Sequence, residues 1–126
     1  TETNPQLRLS IADSQIQRNE STEATASCLI ELLKDSSDDI RVQACSDLRY
    51  FAGTPSESQC IDALTALLDS PDESLRAIGA VTLGDFDSLN VTATEKLKTL
   101  SSSDPAAAVR DAATSAIARA ELVSAN

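Results

Sequence analysis

Residues 70–84 read SPDESLRAIGAVTLG, and the pattern of this stretch returns along the chain at nearly constant spacing. An aliphatic residue followed by arginine occurs four times, with the arginines 33, 35 and 34 residues apart. The four pairs are Leu7-Arg8, Ile40-Arg41, Leu75-Arg76 and Val109-Arg110. A period of this length indicates a chain built from repeated structural units.

Three of the four arginines are followed by the same apolar pattern. Small residues stand three and four positions later, and an aliphatic residue stands at the seventh position. The small residues are Ala44 and Cys45, Gly79 and Ala80, and Ala113 and Thr114, and the aliphatic residues are Leu48, Leu83 and Ile117. This spacing defines one face of an α-helix, and small side chains there allow a neighbouring helix to approach closely.

Each of these helical patterns is preceded by a polar turn and by another helical pattern. Leucines at positions 29, 32 and 33, then 64, 67 and 68, and then 97 and 100 recur at spacings of one, three and four. TPSE at 54–57 and SPDE at 70–73 carry a cap residue, proline and an acid, so they predict helix starts at Thr54 and Ser70. Period-two alternation, the signature of strands, is absent from the sequence.

We therefore predict an all-α fold, an α-solenoid of about three and a half helix-pair repeats in a single domain covering residues 1–126. Residues 1–20 form a degenerate N-terminal cap unit, because Gln15 stands where the other units have an aliphatic residue. The full repeats are predicted at 21–53, 54–88 and 89–122, followed by a tail at 123–126.

The composition limits the classes of partner. Twenty acidic and ten basic residues give a net charge of −10, which repels phosphate backbones and anionic membranes. We therefore expect neither nucleic acid nor a membrane as partner. The acid excess favours solubility over a dedicated cation-binding or basic-partner role.

The reactive residue types needed for catalysis or metal binding are scarce. The three cysteines, Cys28, Cys45 and Cys60, have no CxxC spacing, and the chain contains no histidine. We predict that they are buried free thiols, not disulfide-bonded or redox-active cysteines. Free thiols are typical of a reducing compartment, so we expect a cytoplasmic location. With no glycine-rich phosphate loop and no nucleophile motif either, we expect no catalytic residues, no metal site, no cofactor and no enzymatic activity of its own.

The repeated pattern resembles HEAT repeats, and within them the short HEAT-like class of phycobilisome bilin lyases. The second helix of that class reads acid, two residues, Val-Arg, two residues, Ala-Ala, two residues, Leu-Gly. Residues 72–84 match nearly throughout, residues 38–48 match with Cys45 in place of an alanine, and residues 105–118 keep the Val-Arg pair. The resemblance covers about residues 22–120 and implies a HEAT-type solenoid; such repeats serve many unrelated partners.

The resemblance also implies a structural ladder of arginine and aspartate between neighbouring repeats. Its predicted members are Arg41, Arg76, Arg110, Asp38 and Asp72. The alternative is a row of arginines that binds anions. Regular stacking of repeats favours the structural interpretation.

In this family the second helices line the concave surface, so the face opposite their buried stripe is the candidate for binding a partner. The predicted partner-binding residues are Gln43, Asp47, Tyr50, Ile78, Val81, Thr82, Asp85 and Arg119. Ile78 and Val81 either cover a neighbouring helix or form the floor of a groove, and Asp47 and Asp85 at its rim would select a basic or amphipathic segment.

Two functions remain open from the sequence. The first is a non-enzymatic protein–protein interaction or scaffold module that binds another protein through the second-helix face. The alternative, taken from the resemblance, is a subunit or accessory of a bilin lyase-type system that attaches or removes a phycobiliprotein chromophore. The absence of an evident nucleophile or acid group favours the first.

Overall fold

A computed structural model of the chain describes residues 3–125, with side chains through residue 123. Throughout this range the regular elements are helices and no strand is formed. The helices are α1 (Pro5–Gln17), α2 (Glu23–Leu32), α3 (Asp38–Asp47), α4 (Glu57–Leu67), α5 (Glu73–Leu83), α6 (Val91–Ser103) and α7 (Ala107–Ala125), and a 3₁₀ segment, Leu48–Phe51, continues α3. The predicted all-α fold of helix pairs, as in an α-solenoid, is confirmed.

Side-chain caps start α1, α2, α3, α5 and α6, and two predicted helix starts are shifted. Asn4 caps α1, accepting a hydrogen bond from the backbone N–H of Gln6 at 2.9 Å. Helix α5 begins two residues later than predicted because Asp72, not Ser70, is its N-cap. Ser70 instead accepts from the Asp72 N–H at 3.1 Å and closes the turn before the helix. Helix α4 begins at Glu57, three residues after the predicted cap.

The chain forms two compact units, one ending at Cys60 and the other beginning at Ile61. In the first unit, α1, α2 and α3 pack on one another. Its core includes Leu9, Ala26, Leu29, Leu32, Ala44, Cys45, Leu48 and Phe51. The boundary between the units lies inside α4 and within the predicted repeat 54–88, so the single domain of residues 1–126 stays a prediction.

In the second unit, α7 packs against both α5 and α6. The core consists of Leu64, Leu68, Ala80, Leu83, Phe86, Leu97, Val109 and Ala113. Gly79 allows α5 to approach α4 closely, since a Cβ at this position would lie 3.2 Å from Cβ of Leu67. Helix α7 continues to Ala125, so residues 123–125 of the predicted tail are helical, and residue 126 lies outside the described range.

Candidate functional site

The three arginines at the starts of α3, α5 and α7 make the same backbone contact. Each guanidinium donates a hydrogen bond to the carbonyl oxygen of the residue six positions earlier. The pairs are Arg41 with Asp35, Arg76 with Ser70 at 2.9 Å and Arg110 with Asp104 at 2.7 Å. This contact ties the first turn of each helix to the turn before it, which supports a structural role over anion binding.

Within the second unit, Arg76 of α5 also forms an ion pair with Asp104, which lies just before α7. Its Nε lies 2.8 Å from Oδ2, and its second contact, to Oδ1, is 3.2 Å long. Asp104 is only 6% exposed, and it also accepts the N–H of Ala106 at 2.9 Å. The hydrogen bond from Arg76 holds the pKa of Asp104 below its ordinary value.

The ladder therefore differs in its partners from the predicted one. Asp38 does pair with Arg41, but Asp72 caps α5 by accepting the N–H of Ser74 and makes no hydrogen bond to Arg76 within the described residues. The sequence interpretation missed Asp104. A signal was present, because aspartate stands six residues before both Arg41 and Arg110, whereas serine takes this place before Arg76.

The predicted partner-binding face is partly buried. Counting from the arginine of each second helix, the residues at the second, fifth and ninth positions are exposed or half-buried, but the residue at the sixth position is buried in all three helices. The residues at the sixth position are Asp47, Thr82 and Ala116. The assignment of Asp47 and Thr82 to an open face needs correction, because the sixth position lies only about 60° of helical rotation from the small residue at the third.

In the second unit, a groove of about 410 Å³ lies between α5 and α7. Its lining includes Val81, Asp85, Asp111, Ala112, Ser115 and Arg119. Three of these, Val81, Asp85 and Arg119, belong to the predicted set. Val81 is 51% exposed, whereas Ile78 is half-buried and is not part of this lining. The interpretation of the apolar row as a groove floor therefore applies to Val81.

Of the charged side chains around the groove, the arginine has hydrogen-bond partners and the two aspartates form no salt bridge with a described residue. Arg119 donates hydrogen bonds to the Gly84 carbonyl and to the Asp87 carboxylate, the latter at 3.0 Å. Asp85 and Asp111 are exposed, and neither forms a salt bridge with another described residue. The groove thus presents two free carboxylates to solvent, while its arginine is already engaged. Asp111 was missed from sequence, because its position next to the repeated arginine carries no distinguishing signal.

The predicted residues of the first unit lie near the end of α3. Gln43 donates its side-chain N–H to Oδ1 of Asp47 at 2.9 Å. Tyr50 is half-exposed, and the guanidinium of Arg49 lies 5.0 Å from the centre of its ring. Gln43 and Tyr50 are thus available at the surface of this unit, and their role in binding a partner stays a proposal.

No disulfide joins the three cysteines; Cys45 and Cys60 are buried, whereas Cys28, which was predicted to be buried, is half-buried. Burial, with a smaller contribution from Glu57, raises the pKa of Cys60 to about 12. Its thiol is therefore protonated at neutral pH and is a poor nucleophile. Among the described residues, no three or more His, Cys, Asp or Glu side chains are grouped to hold a metal ion. None of the helices in residues 3–125 has the length and apolar character that a membrane span requires.

Comparison with known families gives one match. The sequence model for HEAT repeats matches residues 25–118, which is well over half of the chain. The chain belongs to the HEAT-repeat family. HEAT repeats generally mediate protein–protein interaction or scaffolding, and the family is typically non-enzymatic. Searches of curated proteins and of solved structures each found no match.

Within the HEAT repeats, the groove has a defined place. By the predicted repeat bounds, α5 and α7 are the second helices of two successive repeats, and both belong to the second unit. The groove therefore runs between equivalent elements of neighbouring HEAT repeats, and the ion pair of Arg76 with Asp104 joins the same two repeats.

Proposed function

We propose that this HEAT-repeat chain is a non-enzymatic interaction module that binds a segment of a partner protein in the groove between α5 and α7. The observation that carries the proposal is the combination of an exposed apolar floor with free carboxylates at the rim. Val81 supplies the floor, and Asp85 and Asp111 supply the charge. Exposed apolar surface rimmed by polar residues is typical of sites that bind other proteins.

The chemistry of the groove favours a basic amphipathic segment, most simply a helix. Ala112 and Ser115 have small side chains, which let the backbone of a partner helix come close. Asp85 and Asp111 would pair with lysine or arginine on that helix, and the net charge of −10 would speed its approach while repelling acidic segments. Recognition of this kind places the apolar face of a helix in a groove.

The size of the effect follows from the exposure of Val81. Complete burial of a valine side chain is worth about 1.5–3 kcal/mol. Because roughly half of this side chain is already covered, a partner would gain about 1 kcal/mol from it, which is about a fivefold change in affinity. Removing the two carboxylates should act mainly on the association rate and on its dependence on salt.

A panel of labelled peptides tests the proposal by fluorescence anisotropy. The panel contains amphipathic helical peptides with lysine and arginine on the polar face, and the same peptides with glutamate there. We expect the basic peptides to bind the parent protein and the acidic ones to fail. Val81→Ser should weaken binding about fivefold, whereas Val91→Ser should not, since Val91 is 78% exposed on α6 and outside the groove.

The outcomes against the proposal are specific. Equal binding of acidic and basic peptides, or equal loss with Val81→Ser and Val91→Ser, would show that the groove does not select the segment. The double variant Asp85→Asn, Asp111→Asn should slow association of the basic peptides and flatten its salt dependence. An unchanged association rate would show that these two carboxylates do not attract the basic peptides.

One observation favours testing the bilin alternative as well. A larger cavity of about 580 Å³ in the second unit is lined in part by Leu89, Leu97 and Ile117, with Lys98 beside them. This volume falls in the range of small-molecule sites. If the chain served a bilin lyase-type system, added bilin would change its absorbance on mixing, and Ile117→Glu would abolish the change. No change with the parent protein would exclude this function.

The cytoplasmic location expected from the sequence stays a prediction.

A further inference from the structure

The first unit contains a buried carboxyl group that the proposed interaction does not use. Asp47, at the end of α3, is 6% exposed. Its Oδ1 accepts a hydrogen bond from Gln43 at 2.9 Å, but Oδ2 is enclosed and has no hydrogen-bond partner. An ionised carboxylate with one unsatisfied oxygen in the interior is costly.

A second acidic side chain makes this carboxylate still less favourable. Asp13 of α1 faces Asp47 and acts on it as a like charge and as a hydrogen-bonding group. Arg49, on the 3₁₀ segment after α3, acts in the opposite direction with a smaller effect. On α2, Glu31 is exposed and engaged by Arg8, and Glu23 is exposed at the first turn.

A proton resolves both problems at once. A proton on Asp47 removes the unsatisfied negative charge and its repulsion with Asp13, and it gives the carboxyl group a donor. Burial first, and Asp13 second, raise the pKa of Asp47 to about 7, whereas the Gln43 hydrogen bond and Arg49 oppose the rise.

We propose that Asp47 carries a proton in the folded first unit because its buried carboxyl group has an unpartnered oxygen, and that loss of this proton above neutral pH weakens the contact of α1 with α3. Asp47 then acts as a pH-sensitive device that controls how firmly the N-terminal helix is held. Gln43, which donates to Asp47 and lies on the candidate partner-binding face, would feel the same change.

The sign of the pH dependence follows from the raised pKa. An unfolded aspartate ionises near pH 4, so between about pH 4 and pH 7 the folded chain holds one more proton than the unfolded chain. Stability of the first unit is therefore full below this window, falls as the pH rises through it, and is flat above it. The chain has no histidine, the side chain that ordinarily titrates between about pH 5 and pH 8, so no histidine contributes to the pH dependence in this range.

Urea unfolding followed by tyrosine emission tests the proposal. Tyr50 is the single tyrosine and tryptophan is absent, so the signal reports on the first unit. The parent should have a lower urea midpoint at about pH 8 than at about pH 5. Asp47→Asn should show equal midpoints at both pH values, whereas the control Asp39→Asn, an exposed residue of the same helix, should keep the parental difference. Equal midpoints in the parent, or a persisting difference in Asp47→Asn, would overturn the proposal.

A second variant keeps the test decisive if Asp47→Asn does not fold. Asp13→Asn replaces the like charge with an amide donor, so its midpoint at about pH 8 should exceed that of the parent. Amide hydrogen exchange in α1, corrected for intrinsic rates, should speed up between the two pH values in the parent and not in Asp13→Asn. A midpoint at or below that of the parent would overturn the proposal. So would a rise in the parent's midpoint with Ca²⁺ or Mg²⁺ at the higher pH, which would assign Asp13 and Asp47 to a cation instead.

Discussion

Among the described residues, each compact unit has one carboxyl residue that is only 6% exposed, Asp47 in the first unit and Asp104 in the second. Their titration nevertheless shifts in opposite directions. Asp104 accepts two bonds from Arg76 and one from a backbone N–H, and its pKa is lowered. Asp47 accepts one amide bond beside another acid, and its pKa is raised. Burial alone therefore does not determine whether a carboxyl group is charged. The hydrogen-bonding and charged groups that surround it determine this.

This difference gives the two units opposite responses to pH. The lowered pKa of Asp104 gives stability that is present above the ordinary aspartate value, near pH 4, and is lost as the pH falls below it. The raised pKa of Asp47 gives stability that is lost as the pH rises from about 4 to about 7. Mildly acidic conditions should therefore suit both units, and either extreme should unfold one unit before the other.

The largest effects should come from equivalent core leucines, where the units are expected to behave alike. Leu48 and Leu83 occupy the seventh position after their arginines, and both are fully buried. Leu48→Ala and Leu83→Ala should each reduce the free energy of unfolding by about 2–5 kcal/mol. Urea unfolding by circular dichroism, with tyrosine emission for the first unit, measures both. A loss under about 0.5 kcal/mol in either would place that residue at the surface.

Asp104→Asn should have the next largest effect, confined to the second unit. The change removes the charge that faces Arg76, so we expect a lower urea midpoint by circular dichroism at neutral pH. It should also remove the contribution of this residue to unfolding below about pH 4. Asp87→Asn is the matched control, because Asp87 pairs with Arg119 at an exposed site and such pairs contribute little. Equal losses in the two variants would contradict the structural role of the buried pair.

The substitution Asp47→Thr gives α3 the residue type that α5 has at the equivalent position. Thr82 holds the equivalent buried position in α5, where its hydroxyl donates to the Ile78 carbonyl four residues earlier at 2.8 Å. The same local hydrogen bond is open to a threonine in α3. We expect a higher urea midpoint than the parent at about pH 8 and no change between pH 5 and pH 8. A lower midpoint at the higher pH would show that Asp47 contributes packing that threonine cannot replace.

The smallest effects concern the third position after the arginine, where the units differ by one methyl group. Ala44→Gly in α3 should cost about 1 kcal/mol, because glycine is a poor helix former. Gly79→Ala gains a similar amount, but the new Cβ lies 3.2 Å from that of Leu67, so the net change should stay within about 1 kcal/mol. Thermal unfolding measures both. A loss above about 2 kcal/mol for Gly79→Ala would mean that α4 cannot adjust.

The helices, and the buried stripe of α3 and α5, could be predicted because they depend on periods within the sequence, whereas in α7 Thr114 is exposed and Ile117 is half-buried. Leu48 and Leu83 lie where the repeated spacing places them, and the small residues before them are buried. The sixth position could not be assigned in this way. It lies at the border of the stripe, and whether it is buried depends on the neighbouring helix that covers it, which the pattern of one helix does not specify.

The candidate site was predictable only in part for the same reason. Val81 and Asp85 are exposed, as predicted, because they lie directly opposite the stripe. Asp111 and Asp104 were missed, since their importance arises from the packing of α7 against α5. The cap of α5 shifted by two residues because neighbouring serine and aspartate can each accept a helical N–H, and tertiary packing selects between them.

The repeated arginine contact has a consequence for how such a chain can vary. Arg41, Arg76 and Arg110 each bind a main-chain oxygen of the preceding turn, and the side chain at that position is aspartate, serine and aspartate in turn. Every residue type has this main-chain oxygen, so the joint between arginine and turn does not restrict which residues the turn contains. A repeat could therefore be duplicated, removed or given a new turn sequence with the joint intact, provided that the arginine and the six-residue spacing are kept.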